Sequence, residues 1–208
     1  MGADFLVVAN SIKFGGRCLA GVLNPYSNKR KWCRLVDDPD GKQLDDDLPI
    51  VDKNNHPATD KNVLSKLTAL DIIEVNIASE VPLPEQPENM LLDKTLGIKY
   101  VKQENKTFLN QFLQTPNDIW GKGSISELTH NGSSLMLLQV YNPKISKTFN
   151  GYPSLEFEYK NISYNIRCTM ENFVYIPLTS NVKTCLICVS SGARYNDLYY
   201  KFVANVII

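Results

Sequence analysis

Trp32 and Arg34 stand two residues apart in the short run Trp32-Cys33-Arg34-Leu35-Val36. In a strand, that spacing sends the indole and the guanidinium out of the same face. An aromatic ring that stacks on a base, beside a cation that meets a phosphate, is the chemistry of single-strand nucleic-acid recognition. Other residues extend the set. Lys13 and Arg17 flank the turn Phe14-Gly15-Gly16, Asn10 stands at the end of the run that enters it, and Lys29, Arg30 and Lys31 precede Trp32. Late in the chain Arg194 and Tyr195 repeat the cation and aromatic pairing beside Tyr199 and Tyr200. The ligand-binding candidates are therefore Asn10, Lys13, Arg17, Arg30, Trp32, Arg34, Arg194 and Tyr195. A structural role is equally concrete for the central pair: Trp32 can plug a barrel end while Arg34 pairs with a nearby aspartate.

Other chemistries find little support. His56 and His130 lie in polar stretches with no second imidazole or thiol at ligand spacing. Cys185-Leu186-Ile187-Cys188 has the C-x-x-C spacing, but inside a strand residues three apart face opposite ways, and no partner pair exists. Gly15-Gly16 and Gly121-Lys122-Gly123 match neither the P-loop nor the dinucleotide fingerprint. Ser190-Ser191-Gly192 lacks the strand-to-helix setting of a hydrolase elbow. The aspartates at 37, 38, 40, 45, 46 and 47 do not fall on the alternate positions of an EF-hand loop. The expectation is a non-enzymatic binding module without metal or cofactor, a protein-interaction adaptor being the alternative.

The elements that must position these residues read as all-β with minor helices. Asp4 to Ala9, Cys18 to Leu23 and Trp32 to Val36 predict a meander, and Asn24-Pro25-Tyr26-Ser27-Asn28 supplies its second turn. Asp37 to Lys61 predicts a solvated loop, Thr59 or Asp60 to Leu70 a short helix, and Asp71 to Ala78 another strand. Asn105 to Gln114 has helical spacing ended by Thr115-Pro116. Leu155, Phe157 and Tyr159, then Ile162, Tyr164, Ile166 and Cys168, alternate with polar residues across a hairpin. With Leu135 to Tyr141, Lys183 to Ser190 and Tyr199 to Ile208 they make five strands, the inventory of an OB-type Greek-key barrel; an SH3-like barrel or a small sandwich has the same count. The organisation expected is an OB-like barrel over 1–85, a connecting helix and loop segment over 86–134, and a second OB-like barrel over 135–208.

Composition sets outer limits. The 208 residues are 43% hydrophobic, enough for packed cores, and 22 basic residues balance 22 acidic ones, which argues against a histone-like cationic protein. The opening run Phe5 to Ala9 is too short and its flank too acidic for a secretory signal, and no stretch approaches a membrane span. Leu6 stands where myristoylation requires Ser or Thr. Five cysteines, an odd number, suit a reducing cytoplasm.

The motifs V-x-A-N-S-x-K-x-G-G-R-C-x-A-G (Val7 to Gly21), W-x-R (Trp32, Arg34), Q-P-E-N (Gln86 to Asn89) and Y-K-F-V-A-N-V-I-I (Tyr200 to Ile208) resemble the bacterial dual-OB-domain proteins, in order and over nearly the whole chain. The resemblance implies two OB-type barrels. It also implies a partner such as single-stranded DNA or RNA or a nucleotide, or a protein encoded nearby, in a mobile-element or phage-conflict setting. Two tracts depart from what the resemblance leads one to expect: Thr169-Met170-Glu171, where an aspartate would follow the threonine, and Ser190-Ser191-Gly192-Ala193-Arg194.

Overall fold

Phe5, Val7, Leu19, Leu23, Cys33 and Leu35 occupy alternate positions of the first three strands, and all are buried in one core. Those strands are β1 (Ala3–Lys13), β2 (Gly16–Leu23) and β3 (Lys31–Val36), an antiparallel meander as the alternation predicts. The computed structural model describes residues 2–121, 133–179, 181–192 and 199–208. It divides into two units, Met1–Leu109 and Asn110–Ile208.

The first unit closes through one nearly continuous strand. β5 (Asp71–Val75) pairs antiparallel with β1; after the single residue Asn76, β6 (Ile77–Glu80) pairs with β7 (Asn89–Leu92), which runs parallel to β3. The row β1-β2-β3-β7 is thus joined at both ends by the β5 and β6 segments, which makes a five-stranded Greek-key barrel of the OB type. β8 (Ile98–Gln103) adds outside β5, and β4 (Ile50–Val51) lies parallel to β8.

This unit runs past residue 85, where the sequence placed its end. β7 has only four residues, too few for a readable period, and its partner β3 lies more than fifty residues back. The helix expected up to Leu70 is a single 3-10 turn, Leu64–Lys66; Val63 before it is extended and offers no side-chain cap. The helical spacing after Asn105 yields the 3-10 segment Lys106–Phe112.

The second unit follows the predicted strands closely: β9 (Leu135–Lys147), β10 (Pro153–Tyr159), β11 (Ile162–Arg167), β12 (Thr184–Ser191) and β13 (Lys201–Ile207), ordered β11-β10-β9-β12-β13. Lys160 and Asn161 both take positive φ, as a two-residue hairpin turn of the primed kind requires. A parallel bridge between Cys168 and Val203, with the Thr169 N–H donating to Val203 O at 3.0 Å, links β11 to β13 and closes the barrel. Thr169 of the divergent Thr169-Met170-Glu171 tract is therefore part of this closure. Phe157 and Tyr164 stack inside it with ring centroids 5.5 Å apart.

Candidate nucleic-acid interface

A β-bulge between Val7 and Ala9 decides where the first candidates go. The extra residue shifts the alternation of β1, so Asn10 lies opposite Leu19, on the face that Leu19 turns to the core; Arg17, two residues before Leu19 on β2, shares that face by unbroken alternation. Asn10 Nδ2 donates to Leu64 O at 2.9 Å and Leu67 O at 3.0 Å, and so pins the 3-10 turn across the barrel end. Arg17 is 3% exposed; its Nε donates to Asp46 Oδ1 at 2.5 Å and its Nη2 to Oδ2 at 3.4 Å. Its backbone exchanges hydrogen bonds with Leu44. The acidic loop after β3 is fastened to the barrel by this residue.

Trp32 and Arg34 do share a face of β3, the one opposite Cys33 and Leu35. Trp32 is half-buried and lies opposite Val22; Arg34 is buried between Ala20 and Asn89 in the sheet register. Lys13, half-buried, has its ammonium pulled below the ordinary lysine range, chiefly by burial and partly by the charge of Arg34, with Cys18 and Glu85 pulling the other way. Lys13, Trp32 and Arg34 therefore lie on the sheet face opposite that of Asn10 and Arg17, and of the three the charge of Arg34 reaches Lys13. Arg30 is exposed in the β2 to β3 turn, its N–H on Ser27 O. Arg194 and Tyr195, like His130, lie outside the described residues.

The Gln86 to Asn89 motif lies at the closure of the first barrel. Asn89 Nδ2 donates to Gln86 Oε1 at 3.4 Å, and both side chains are buried against Gly41, where an added Cβ would meet Asn89 Nδ2 at 2.9 Å and Leu83 Cδ1 at 3.0 Å. The motif locks the loop after β3 onto the strand entering β7.

A different constellation forms on the second barrel, at the hairpin joining β9 to β10. Thr148 and Tyr152 exchange hydrogen bonds across it, N–H to O at 2.8 Å and N–H to Oγ1 at 3.1 Å, with Gly151 at φ 80 completing the turn. Phe149, at its tip, is fully exposed. Arg167, the last residue of β11, places its guanidinium carbon 4.0 Å from the Tyr152 ring centroid. Lys144 and Lys147 are exposed on the hairpin half of β9, and Asn165 Nδ2 reaches Lys147 O at 3.4 Å. The acids Glu156 and Glu158 sit farther along β10, opposite Lys144 and Tyr141. Positive charge and aromatic surface thus collect toward the hairpin end.

The first barrel repeats one part of this. Phe14, in the turn from β1 to β2, is 88% exposed. Sequence reasoning passed over both phenylalanines. The available signal was an aromatic residue beside turn-forming glycine, K-F-G-G and T-F-N-G-Y, where no core can receive it.

Among the described residues, no three His, Cys, Asp or Glu side chains gather at metal-binding distance, and no helix is long and apolar enough to cross a membrane. Burial pushes the Cys33 thiol far up and the Cys168 thiol up to about 12.

Two closed five-stranded Greek-key barrels in series define a tandem OB-fold protein. Over residues 3–206 the chain matches the dual OB-containing domain family, and it belongs to that family. A solved structure described as the crystal structure of the tetrameric p202 HIN2 aligns with 100% of this chain and 92% of its own, at 8% identity and a TM-score of 0.35. No curated protein matches.

Proposed function

We propose that this protein is a non-enzymatic binding module for single-stranded nucleic acid, with the first hairpin of the second barrel and the adjoining β10 and β11 face as its contact surface. The observation that carries the reading is the Arg167 guanidinium stacked on Tyr152 beside the fully exposed Phe149. Oligonucleotide-binding barrels use this part of the fold, the face of the second and third strands and the loop between the first and second. Aromatic faces accept bases of any identity, and cations track the backbone, so the expected binding tolerates sequence. Lys144, Lys147 and Arg167 supply three positive groups toward the hairpin end.

A fluorescence anisotropy titration of labelled oligonucleotides across a salt series tests this. Three phosphate contacts predict a log–log slope of about −2 for single strands. No binding at low salt and micromolar protein would sink the nucleic-acid reading. Phe14 and Phe149, exposed on both first hairpins, favour the adaptor in that event, because apolar tips of this kind seat in partner pockets with little dependence on salt.

A further inference from the structure

Glu156 and Glu158 are out of place on a face that meets phosphates. Both are exposed on the side of β10 opposite its core residues Leu155 and Phe157, and a bare carboxylate there repels the backbone of a bound strand. Their cross-strand partners differ. Glu158 lies opposite Ser163, whereas Glu156 lies between Asn165 on β11 and Lys144 on β9. Directly opposed side chains of an antiparallel pair stand about 5 Å apart at Cβ, so Glu156 and Asn165 can both reach one edge of one planar ring. Among the described residues the Glu156 carboxylate makes no ion pair, which leaves its two oxygens to accept from a guest.

Asn165 is already oriented. Its Nδ2 donates to Lys147 O at 3.4 Å, which fixes the amide and leaves the second N–H of that nitrogen for another acceptor. Arg167, two residues farther along β11, emerges from the same face and meets the Tyr152 ring. Along β11 the aromatic pair and the Glu156–Asn165 pair are thus about 7 Å apart, a step that neighbouring bases of an extended strand can span. What Glu156 and Asn165 offer together is two acceptors beside one donor. Guanine carries the complement on its Watson–Crick edge, where N1–H and the 2-amino group donate side by side and O6 accepts next to them. Adenine, cytosine, thymine and uracil each have a single donor group on that edge, flanked by an acceptor, so a carboxylate gains one bond and its second oxygen faces a lone pair. Charge-assisted bidentate pairs are the stronger kind.

We propose that Glu156 and Asn165 read one guanine of a bound single strand, N1–H and the 2-amino group donating to the Glu156 carboxylate and O6 accepting from Asn165 Nδ2. The adjacent base stacks at Tyr152 and Arg167, and Lys144 offsets the repulsion between the carboxylate and the nearest phosphate. This inference rests on the hairpin face being the strand-binding surface. Stacking elsewhere on that face stays tolerant of sequence, and this one position selects.

Fluorescence anisotropy of the full chain at low salt tests the pair, with a short labelled oligothymidine, the same strand carrying one central guanine, and the same strand carrying hypoxanthine there. The guanine strand should bind about tenfold more tightly than oligothymidine. Hypoxanthine lacks the 2-amino group and should lose most of that gain. Glu156→Gln should erase the preference for guanine and leave oligothymidine binding no weaker; Glu158→Gln, opposite Ser163, should keep the preference. Both side chains are exposed, so both variants should fold, and thermal denaturation checks this. Deoxy and ribo forms of the guanine strand, compared side by side, assign its source as DNA or RNA. If Glu156→Gln raises the affinity of every strand alike, the carboxylate only repels and the proposal falls. Equal binding of the guanine and thymine strands by the parent overturns it too, with strand binding by this face intact, whereas no binding of any strand removes both.

Discussion

Arg17 Nε lies 2.5 Å from Asp46 Oδ1, with the guanidinium buried and the carboxylate half-exposed. A cation placed this way positions a loop. Arg17→Met should therefore destabilise the protein by about 1–3 kcal/mol through the lost charged hydrogen bonds. The salt slope of oligonucleotide binding should stay unchanged. Parallel thermal denaturation and salt titration check this, and a slope reduced by about 0.7 would return Arg17 to the phosphate-contacting set.

Phe149 contributes nothing to a core, so Phe149→Ala should leave thermal stability within about 0.5 kcal/mol of the parent. If bases stack on it, the same change should weaken single-strand binding by about 1–3 kcal/mol. Arg167→Ala should lower both the affinity and the salt slope, because it removes the stack on Tyr152 and one charge together. Anisotropy with both variants separates the two contributions.

Gly41 and Gly15 both have positive φ, near +80°. At Gly15 an added Cβ meets open space, so Gly15→Ala should cost only the backbone penalty of about 1–2 kcal/mol. Gly41→Ala adds contacts with Asn89 Nδ2 and Leu83 Cδ1 and should cost more than that by chemical denaturation. Equal costs would show that the amide pair of Gln86 and Asn89 yields readily.

Burial lowers the Lys201 ammonium to about 8, with Asp118 opposing the shift. The unfolded chain holds that proton up to the ordinary lysine value of 10.5, so between about 8 and 10.5 it binds more protons than the folded state. The contribution of this group to stability should therefore rise as pH increases through that window. Lys201→Met should abolish the rise and, by stranding the carbonyls of Ile119 and Gly121 that its ammonium serves, cost about 2–4 kcal/mol at neutral pH. Denaturation of parent and variant between pH 7 and 10.5 provides the check.

Much of the architecture was legible in local pattern. Alternation is written residue by residue, so the β10 and β11 hairpin and the β1 to β3 meander could be read directly: Phe157 and Tyr164 had to face one way, Glu158 and Ser163 the other. The same-face relation of Trp32 and Arg34 follows from the same rule. The cation and aromatic mixture that pointed to nucleic acid was also visible as residue types, though not as a surface.

Tertiary structure decided which of those residues could meet. One bulged residue between Val7 and Ala9 turned Asn10 inward, and no local signal marks such an insertion, because its reason is the barrel's curvature. The parallel pairing of β3 with β7 and the bridge from Cys168 to Val203 join segments dozens of residues apart, so barrel closure and the end of the first unit lay beyond any local window. Lys201 looked like an ordinary polar residue in an apolar strand until the carbonyls of Ile119 and Gly121, some eighty positions earlier, were folded onto it. Sequence by itself determined the strands with unbroken alternation and the faces of their residues, since a period of two is local; the fold alone decided the short strands, the bulge and which side chains share a site, since these depend on closure across long sequence separations.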